Sequence, residues 1–306
     1  MNFINKIKKI IEYPPILLLL LDKHRIITLR NEKFLKYYYK SIFKKELNLL
    51  NPQTFSEKIQ WLKLNDKNDS YSIMVDKYKA KNYVTKIMGN EYIIPTIDVY
   101  DNFNEIRFDK LPNQFVIKCT HDSGGIVIVK DKSKIDKEKV KKKINKSLKH
   151  NYFYCWREWP YKNVKPRILI EKYMEQNEEK SLIDYKVMVF NGKAKCTFVC
   201  SDRDEKGNVF IDVYDNKWNK MKIERKNHKN SNKTIKKPIN YELMIKYAEY
   251  FARKIPFLRV DFYEINNKLY FSEFTFYPAS GFDEFKNYDD DILLGSWLQL
   301  PKLKEE

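Results

Sequence analysis

An α+β fold is what this sequence predicts, with short antiparallel strand pairs set between helices. Three observations carry that expectation. Asp184-Tyr-Lys186-Val-Met-Val-Phe190 alternates, turns at Asn191-Gly192 and returns through Cys196 to Val199. Asn-Gly between alternating runs is the strongest short-range hairpin signal. A second strand pair, from Arg259-Val-Asp261-Phe-Tyr to Phe271-Ser-Glu273-Phe-Thr275-Phe-Tyr-Pro278, flanks Asn266-Asn267. Helical patterns lie before and between the strands, around residues 54–64, 72–87, 131–149 and 241–254.

Each element has its own local reason. The N-terminal 46 residues are rich in Lys and Arg and contain the apolar run Ile16 to Leu21 behind Pro14-Pro15. That run is far short of the ~20 residues a spanning helix needs. Two readings stay open: a helix lying on an anionic membrane surface with its lysines at the headgroups, or a helix packed on the body of the protein. Thr54 followed by Glu57 is a capping-box signature, and Ile59 and Leu62 give the helix behind it an apolar face. Ser72 to Ile87 is read as one helix carrying Asp76, Lys77, Lys79 and Lys81.

Phe115-Val-Ile-Lys118-Cys-Thr is a short strand ending in a lysine, and Ile126 to Val129 returns beside it. Between them stands His121-Asp-Ser123-Gly124-Gly125, in a chain with only seven glycines, so the adjacent pair is notable. Such a turn lets backbone N–H groups approach an anion with no Cβ in the way, and it also serves as an ordinary hairpin loop. Asp131 to Lys149 reads as a solvated lysine-rich helix, Tyr152 to Tyr161 as an aromatic cluster at the core edge, and Arg167 to Met174 as an apolar strand. Residues 204–239 are polar and basic and read as a surface excursion; Tyr241 to Lys254 is a helix leading into the acid-bearing strand pair.

At 306 residues the chain has room for one large or two modest domains. Hydrophobic content of 43% and aromatic content of 15% exclude a disordered chain. A net charge of +18 favours anionic partners: nucleotides, nucleic acid, acidic polysaccharide or an anionic bilayer. Lys, Asn, Ile and Tyr are abundant together, as A/T-rich coding produces, so charge alone selects none of these. Cys119, Cys155, Cys196 and Cys200 form no C-x-x-C pair and have no histidines at metal-ligand spacing. With no signal-peptide pattern in view, free thiols in a reducing cytoplasm are expected.

The acid-bearing strand pair carries the chemistry. An ionised carboxylate inside an apolar strand is costly without a partner. Two of them on neighbouring strands suit Mg²⁺, which takes one or two carboxylates plus the phosphates of its substrate. Register decides whether they meet. A two-residue turn at Asn266-Asn267 places Ser272 opposite Asp261 and turns Glu273 to the other face. A three-residue loop, Asn266 to Lys268, places Glu273 opposite Asp261, with Arg259 and Thr275 flanking them. The three-residue loop is therefore the expectation.

The order of these features, a helix lysine, strand-lysine, glycine turn, strand-Glu, Asp-x-Lys strand and Asp/Glu hairpin, resembles the ATP-grasp enzymes. The wording of the motifs resembles the TupA-like family among them, which is associated with teichuronopeptide and other capsular polysaccharide synthesis. The residues concerned are Asn51-Pro-Gln-Thr-Phe-Ser-Glu-Lys-Ile-Gln-Trp61, Asp76-Lys-Tyr78, Phe115-Val-Ile-Lys118, Asp184-Tyr-Lys-Val-Met-Val-Phe-Asn-Gly192 and Glu273-Phe-Thr-Phe-Tyr-Pro-Ala-Ser-Gly281. The likeness spans residues 45–300.

The resemblance implies an ATP-grasp fold in which two α+β subdomains clasp ATP: a basic helical segment at 1–50, a first subdomain at 51–170 and a second at 171–306. It implies that Lys77 and Lys118 neutralise ATP phosphates under the Ser123, Gly124 and Gly125 turn. Glu171, Lys172, Tyr173 and Met174 would form the adenine hinge, and Asp184 would take the ribose hydroxyls. Lys186 would reach the γ-phosphate or an acyl phosphate, and Arg259 would clamp the transferred phosphoryl group. Asp261 and Glu273 would hold Mg²⁺, with Thr275 standing where many ATP-grasp enzymes have Asn. Ser280 and Gly281 would belong to the substrate loop.

The implied activity is an ADP-forming carboxylate–amine ligase acting through an acyl phosphate. It would join an amino acid or amine to a uronic-acid-bearing cell-surface glycan or its precursor. A glycosyltransferase or phosphotransferase of the same biosynthesis is the alternative, but Asp289-Asp290-Asp291 lacks the apolar strands that flank a D-x-D site. A basic binding protein for nucleic acid or membrane would explain the charge and leave Asp261 and Glu273 without a purpose. Nucleic acid is accordingly not the expected partner.

Overall fold

The computed structural model describes residues 13–175, 182–202 and 208–302; residues 1–12 of the basic N-terminal segment lie outside the described residues. Pro15 opens α1 (Pro15–Lys23), where a missing N–H costs nothing. Leu19 packs with Phe34, Leu35 and Tyr39 of α2 (Asn31–Phe43) and with Leu47. Asp22 is buried and accepts both hydrogen bonds of the Arg157 Nη2 group, at 2.7 and 2.6 Å. Of the two readings of Ile16 to Leu21, the structure takes the packed helix.

α3 (Phe55–Asn65) begins with the capping box: Thr54 Oγ1 accepts from Glu57 N at 3.1 Å, and Glu57 Oε2 accepts from Thr54 N at 3.1 Å. Thr54→Ala is expected to cost about 1 kcal/mol, read as a lower denaturant midpoint at unchanged slope. The single helix expected over 72–87 is two helices, α4 (Tyr71–Val75) and α5 (Lys77–Met88). Asp76 breaks it: its backbone is extended, and its carboxylate caps α5 through Tyr78 N at 3.0 Å and Lys79 N at 3.2 Å. The restart places Lys77 at the first position of the new helix.

A first antiparallel sheet contains β1 (Thr96–Tyr100), β2 (Phe115–Cys119), β3 (Ile126–Val129) and β4 (Ile168–Lys172), in the order β1-β4-β2-β3. Phe115, Ile117, Cys119, Val129, Ile168 and Ile170 form one face and bury against Val140 and Ile144 of α6 (Lys137–Leu148). Register puts Val116, Lys118, Ile126, Ile128, Leu169 and Glu171 on the other face. A division of the chain at residue 171 runs through β4.

The second sheet has β5 (Asp184–Phe190), β6 (Lys193–Ser201), β7 (Phe210–Asp215), β8 (Lys220–Met221), β9 (Phe257–Ile265) and β10 (Lys268–Thr275), ordered β10-β9-β5-β6-β7-β8. Asn191 and Gly192 both take positive φ, as the predicted two-residue hairpin turn requires. The supposed surface excursion of 204–239 instead contributes β7 and β8 to the sheet; the alternation of Phe210-Ile-Asp-Val-Tyr214 was its signal, outweighed by the polar residues around it. Residues 203–207 lie outside the described residues. α7 (Tyr241–Ala252) covers one face of this sheet, sharing a core with Val187, Val260, Phe262 and Phe274. Phe55, Ile59, Leu62, Val75 and Val84 join that same core, so the helices of 55–88 pack with the second sheet.

The β9–β10 connection corrects one expectation and keeps its consequence. The turn has two residues, since Ile265 pairs with Lys268 and Asn266 and Asn267 both have left-handed φ (51° and 62°). Ser272 is then an extra residue on β10, a β-bulge that reverses the phase of alternation. Phe271 faces the core opposite Phe262, and past the bulge Glu273 pairs with Asp261 and Thr275 with Arg259.

Candidate functional site

One face of the second sheet gathers charge on three adjacent strands. Lys186 on β5 pairs with Asp261 on β9, Asp261 with Glu273 on β10, and Asp184 with Tyr263. Asp261 is completely buried, and Arg259 grips it through Nε at 2.7 Å and Nη2 at 2.7 Å, while Lys186 Nζ lies 2.6 Å from Oδ2. Burial opposes ionisation of Asp261, but Arg259 and then Lys186 outweigh it and hold the carboxyl below its usual range. Burial likewise works against the Lys186 ammonium, and Asp261 and Asp184 reverse it, raising its pKa. The Asp184 carboxylate is 3.6 Å from Lys186 Nζ. Glu273 is the open member: its side chain is 37% exposed, with Arg259 Nη2 at 3.3 Å.

The first sheet presents a complementary face. Glu171 is buried on β4, 2.5 Å from Lys118 Nζ and also ion-paired with Lys81 of α5. Burial opposes its ionisation, yet Lys118 and then Lys81 hold its carboxyl down at about 2. Lys81 is fixed in turn by the Ile94 carbonyl at 2.7 Å and Thr96 Oγ1 at 3.0 Å. Lys118 also feels Glu273 and Asp184, which stand on the other sheet. The charged face of the first sheet therefore lies within electrostatic reach of the charged face of the second. Ile126 and Ile128, on the Lys118 face at the sheet edge, are exposed there and offer apolar surface.

The predicted phosphate turn is assembled with Lys77, whose ammonium donates to the Asp122 carbonyl and whose N–H donates to Thr120 O at 3.0 Å. Gly125 is glycine for want of space, because a Cβ would lie 2.4 Å from Ser147 Oγ and 2.7 Å from Cys119 Cβ. Its N–H already donates to Asp122 Oδ1 at 3.0 Å. Ser123 and Gly124 are exposed at the tip. In the hinge, the Lys172 N–H donates to the Pro95 carbonyl at 3.0 Å. Lys172, Tyr173 and Met174 line a cleft of about 280 Å³ with Ile265, Asn266 and Tyr270 of the β9–β10 hairpin.

Several participants carry no motif. Tyr263 is hydrogen-bonded through its side chain to Asp184 and Ser272, and burial raises its phenol well above the ordinary range. Lys81 stood out only as one basic residue of a helix. Glu158 and Lys63, far apart in the chain, are both buried at the Ser280 turn, where each bonds to Ser280. A charged residue inside the aromatic run Tyr152 to Tyr161 was the one hint of Glu158.

The donor set suits magnesium. Among the described residues no cluster of three or more His, Cys, Asp or Glu side chains is placed to hold a metal. Mg²⁺ does not need one, because it is bound by one or two carboxylates and completes its shell with water and phosphate oxygens. Asp261 and Glu273 are two facing hard-oxygen donors, and Arg259 and Lys186 lie against Asp261 as a cation does. Thr275 stands beside them opposite Arg259.

Among solved structures, the D-alanine–D-alanine ligase of Bacillus anthracis complexed with ATP is similar at 15% identity, over 73% of this chain and 63% of that chain, with a TM-score of 0.39. The D-alanine–D-alanine ligase of Helicobacter pylori is similar at 20% identity, over 74% of this chain and 62% of that one, with a TM-score of 0.35. A D-cycloserine synthetase shares 11% identity over 81% of this chain and 71% of that one, with a TM-score of 0.39. The chain spans less than two thirds of the length of either D-alanine–D-alanine ligase, and at these scores the likenesses carry no argument about activity. No curated protein matches the sequence. The profile of the family described as TupA-like ATPgrasp matches residues 57–299, and the chain, with its two antiparallel sheets and acid-bearing hairpin, belongs to that ATP-grasp family.

Proposed function

We propose that this protein is an ADP-forming ligase that activates a carboxylate as its acyl phosphate and joins it to an amine. The observation that carries the reading is the Asp261–Glu273 pair on neighbouring strands, with Lys186 and Arg259 against it and Lys118 of the first sheet within electrostatic reach. Lys118, Lys186 and Arg259 are three cations now balanced by carboxylates. Triphosphate oxygens bound at these cations replace those partners. The purine lies against the apolar edge at Ile126 and Ile128 and the hinge at Glu171 to Met174, with ribose hydroxyls donating to Asp184. Asp261 and Glu273, with Thr275 beside them, would hold magnesium, which would supply charge neutralisation at the phosphate oxygens.

The rest is positioning and electrostatics. Lys186 and Arg259 stabilise charge on the transferring phosphoryl group, and Lys77 with the Ser123–Gly125 turn covers the phosphates from the first sheet. Thiol catalysis has no support, because burial pushes Cys119 up to about 11 and also raises Cys155, Cys196 and Cys200.

The acceptor we infer is a uronic-acid-bearing glycan or precursor, and the amine an amino acid; motif resemblance and the +18 charge support an anionic acceptor. Among the described residues no helix is long and apolar enough to cross a membrane. Contact with an anionic membrane surface rests on the basic residues near the N-terminus alone, and cosedimentation with anionic vesicles tests it. ATP turnover with candidate uronates and amines tests the reaction: ADP with an amide supports it, AMP or ATP-independent use of a sugar nucleotide overturns it. Lys118→Met is expected to weaken Mg·ATP binding about 10- to 100-fold by calorimetry, the value of a hydrogen bond to a charged group.

A further inference from the structure

A buried polar cluster lies beyond the acid-bearing hairpin, where nothing in the nucleotide site requires one. Ala279, Ser280 and Gly281 all take left-handed φ (46°, 56° and 65°), a conformation two of the three adopt at a cost. Buried side chains hold them there. Gln60 donates to the carbonyls of Ser280 at 3.1 Å and Gly281 at 2.9 Å, and Lys63 Nζ donates to Ser280 O at 2.7 Å. Gly281 must be glycine, since a Cβ would lie 2.5 Å from Gln60 Nε2. With its carbonyl pinned, Ser280 aims its hydroxyl at Glu158 and donates to Oε1.

Tyr152 stands between this turn and the phosphate turn: its hydroxyl accepts from Ser123 Oγ at 3.1 Å, and Glu158 and Ser280 both influence its ionisation. Burial pushes the Glu158 carboxyl up to about 7, against the pull of Lys63, and burial brings Lys63 down to about 7. The other cations facing the pair are Arg259 from β9, toward Glu158, and Arg157 beside it, toward Lys63. Tyr152, Cys155, Tyr161 and Tyr277 complete its titratable surroundings. One turn thus gathers a buried carboxyl on the Ser280 hydroxyl and a buried amine on the Ser280 carbonyl, which a merely structural turn does not need.

We propose that Glu158 takes up the proton released by the incoming amine, with the Ser280 hydroxyl as the relay. The inference rests on the ligase reading above. As the amine nitrogen forms the C–N bond, the C–O bond to phosphate breaks and its electron pair leaves on phosphate. One N–H proton passes to Ser280 Oγ while the Ser280 proton passes to Glu158 Oε1. Lys63 balances the carboxylate before the transfer and shares the proton after it.

The test uses the full chain with Mg·ATP and glucuronate, comparing hydroxylamine with glycine. Hydroxylamine is largely neutral at pH 7 and reports acyl phosphate formation as hydroxamate without help from a base. Glu158→Gln should keep hydroxamate formation close to wild type and lose about 100-fold or more of glycine amide formation, the scale of general base catalysis. The wild-type to variant ratio of amide rates should shrink as pH falls through about 7, where Glu158 becomes protonated. Ser280→Ala should show the same selective loss of the amide, with thermal melts verifying that both variants fold. Equal loss of hydroxamate and amide, or a ratio insensitive to pH, overturns the assignment of Glu158 alone. Absence of hydroxamate from the wild type overturns the ligase reading and this assignment together.

Discussion

Glu273→Gln is expected to abolish magnesium-dependent ATP turnover while the fold stands. The side chain is 37% exposed and its ion pair, to Arg259 at 3.3 Å, is partly solvated. Pairs of that kind contribute about 1 kcal/mol or less, so the thermal midpoint should move by only a few degrees. The chemical loss is of another size. A neutral amide oxygen replaces one of two anionic donors, and metal-centred charge stabilisation contributes several kcal/mol, with each ~1.4 kcal/mol a factor of ten in rate. A fall of about 100-fold or more is the expected readout in an ADP-release assay. Activity near wild type in a well-folded variant would sink the metal assignment.

The neighbouring carboxylate is no substitute for that experiment. Asp261→Asn leaves Arg259 and Lys186 buried against a neutral group, and breaking such a pair costs about 3–5 kcal/mol. Lost activity there confounds chemistry with unfolding.

Glu171→Gln should produce a large change in stability. Lys81 and Lys118 converge on this one buried carboxylate, and its removal leaves two cations facing each other without an anion. The expected cost is about 3–5 kcal/mol. Acid provides an independent readout. The folded carboxyl is held at about 2 against an ordinary 4.5, so its contribution is complete above the unfolded value and disappears as pH falls through that interval toward 2. A displacement of that size corresponds to about 3 kcal/mol. Denaturant midpoints taken from pH 6 down to 2 should therefore converge for wild type and variant as acid removes the charge the variant lacks. Parallel curves would contradict the ion-pair account.

Local order was legible where neighbouring residues write it. The Thr54 capping box, the Asn191-Gly192 turn and strands β2 to β6, β9 and β10 follow from hydrogen bonds and alternation within a few positions, whereas β1, β7 and β8 were not read from the sequence. The opposition of Asp261 and Glu273 was legible too, although through the wrong device: the turn is shorter than expected and the Ser272 bulge restores the phase. A bulge has no composition signal of its own, so alternation alone assigned the extra residue to the loop. The break at Asp76 was similarly hidden inside a helical pattern, although Asp ahead of a basic run is an N-cap in plain view.

What the sequence by itself determined is which residues are apolar, where the chain turns and which strands carry acids. Tertiary structure alone decided their partners. That the helices of 55–88 join the second sheet, that Lys81 and Lys118 share Glu171, and that Lys63 and Glu158 both bond to Ser280 are facts about segments far apart in the chain. The reason is physical: periodicity records that a face is buried but not what covers it. A buried charge demands a counter-charge without naming which one, and only the packed chain supplies the answer.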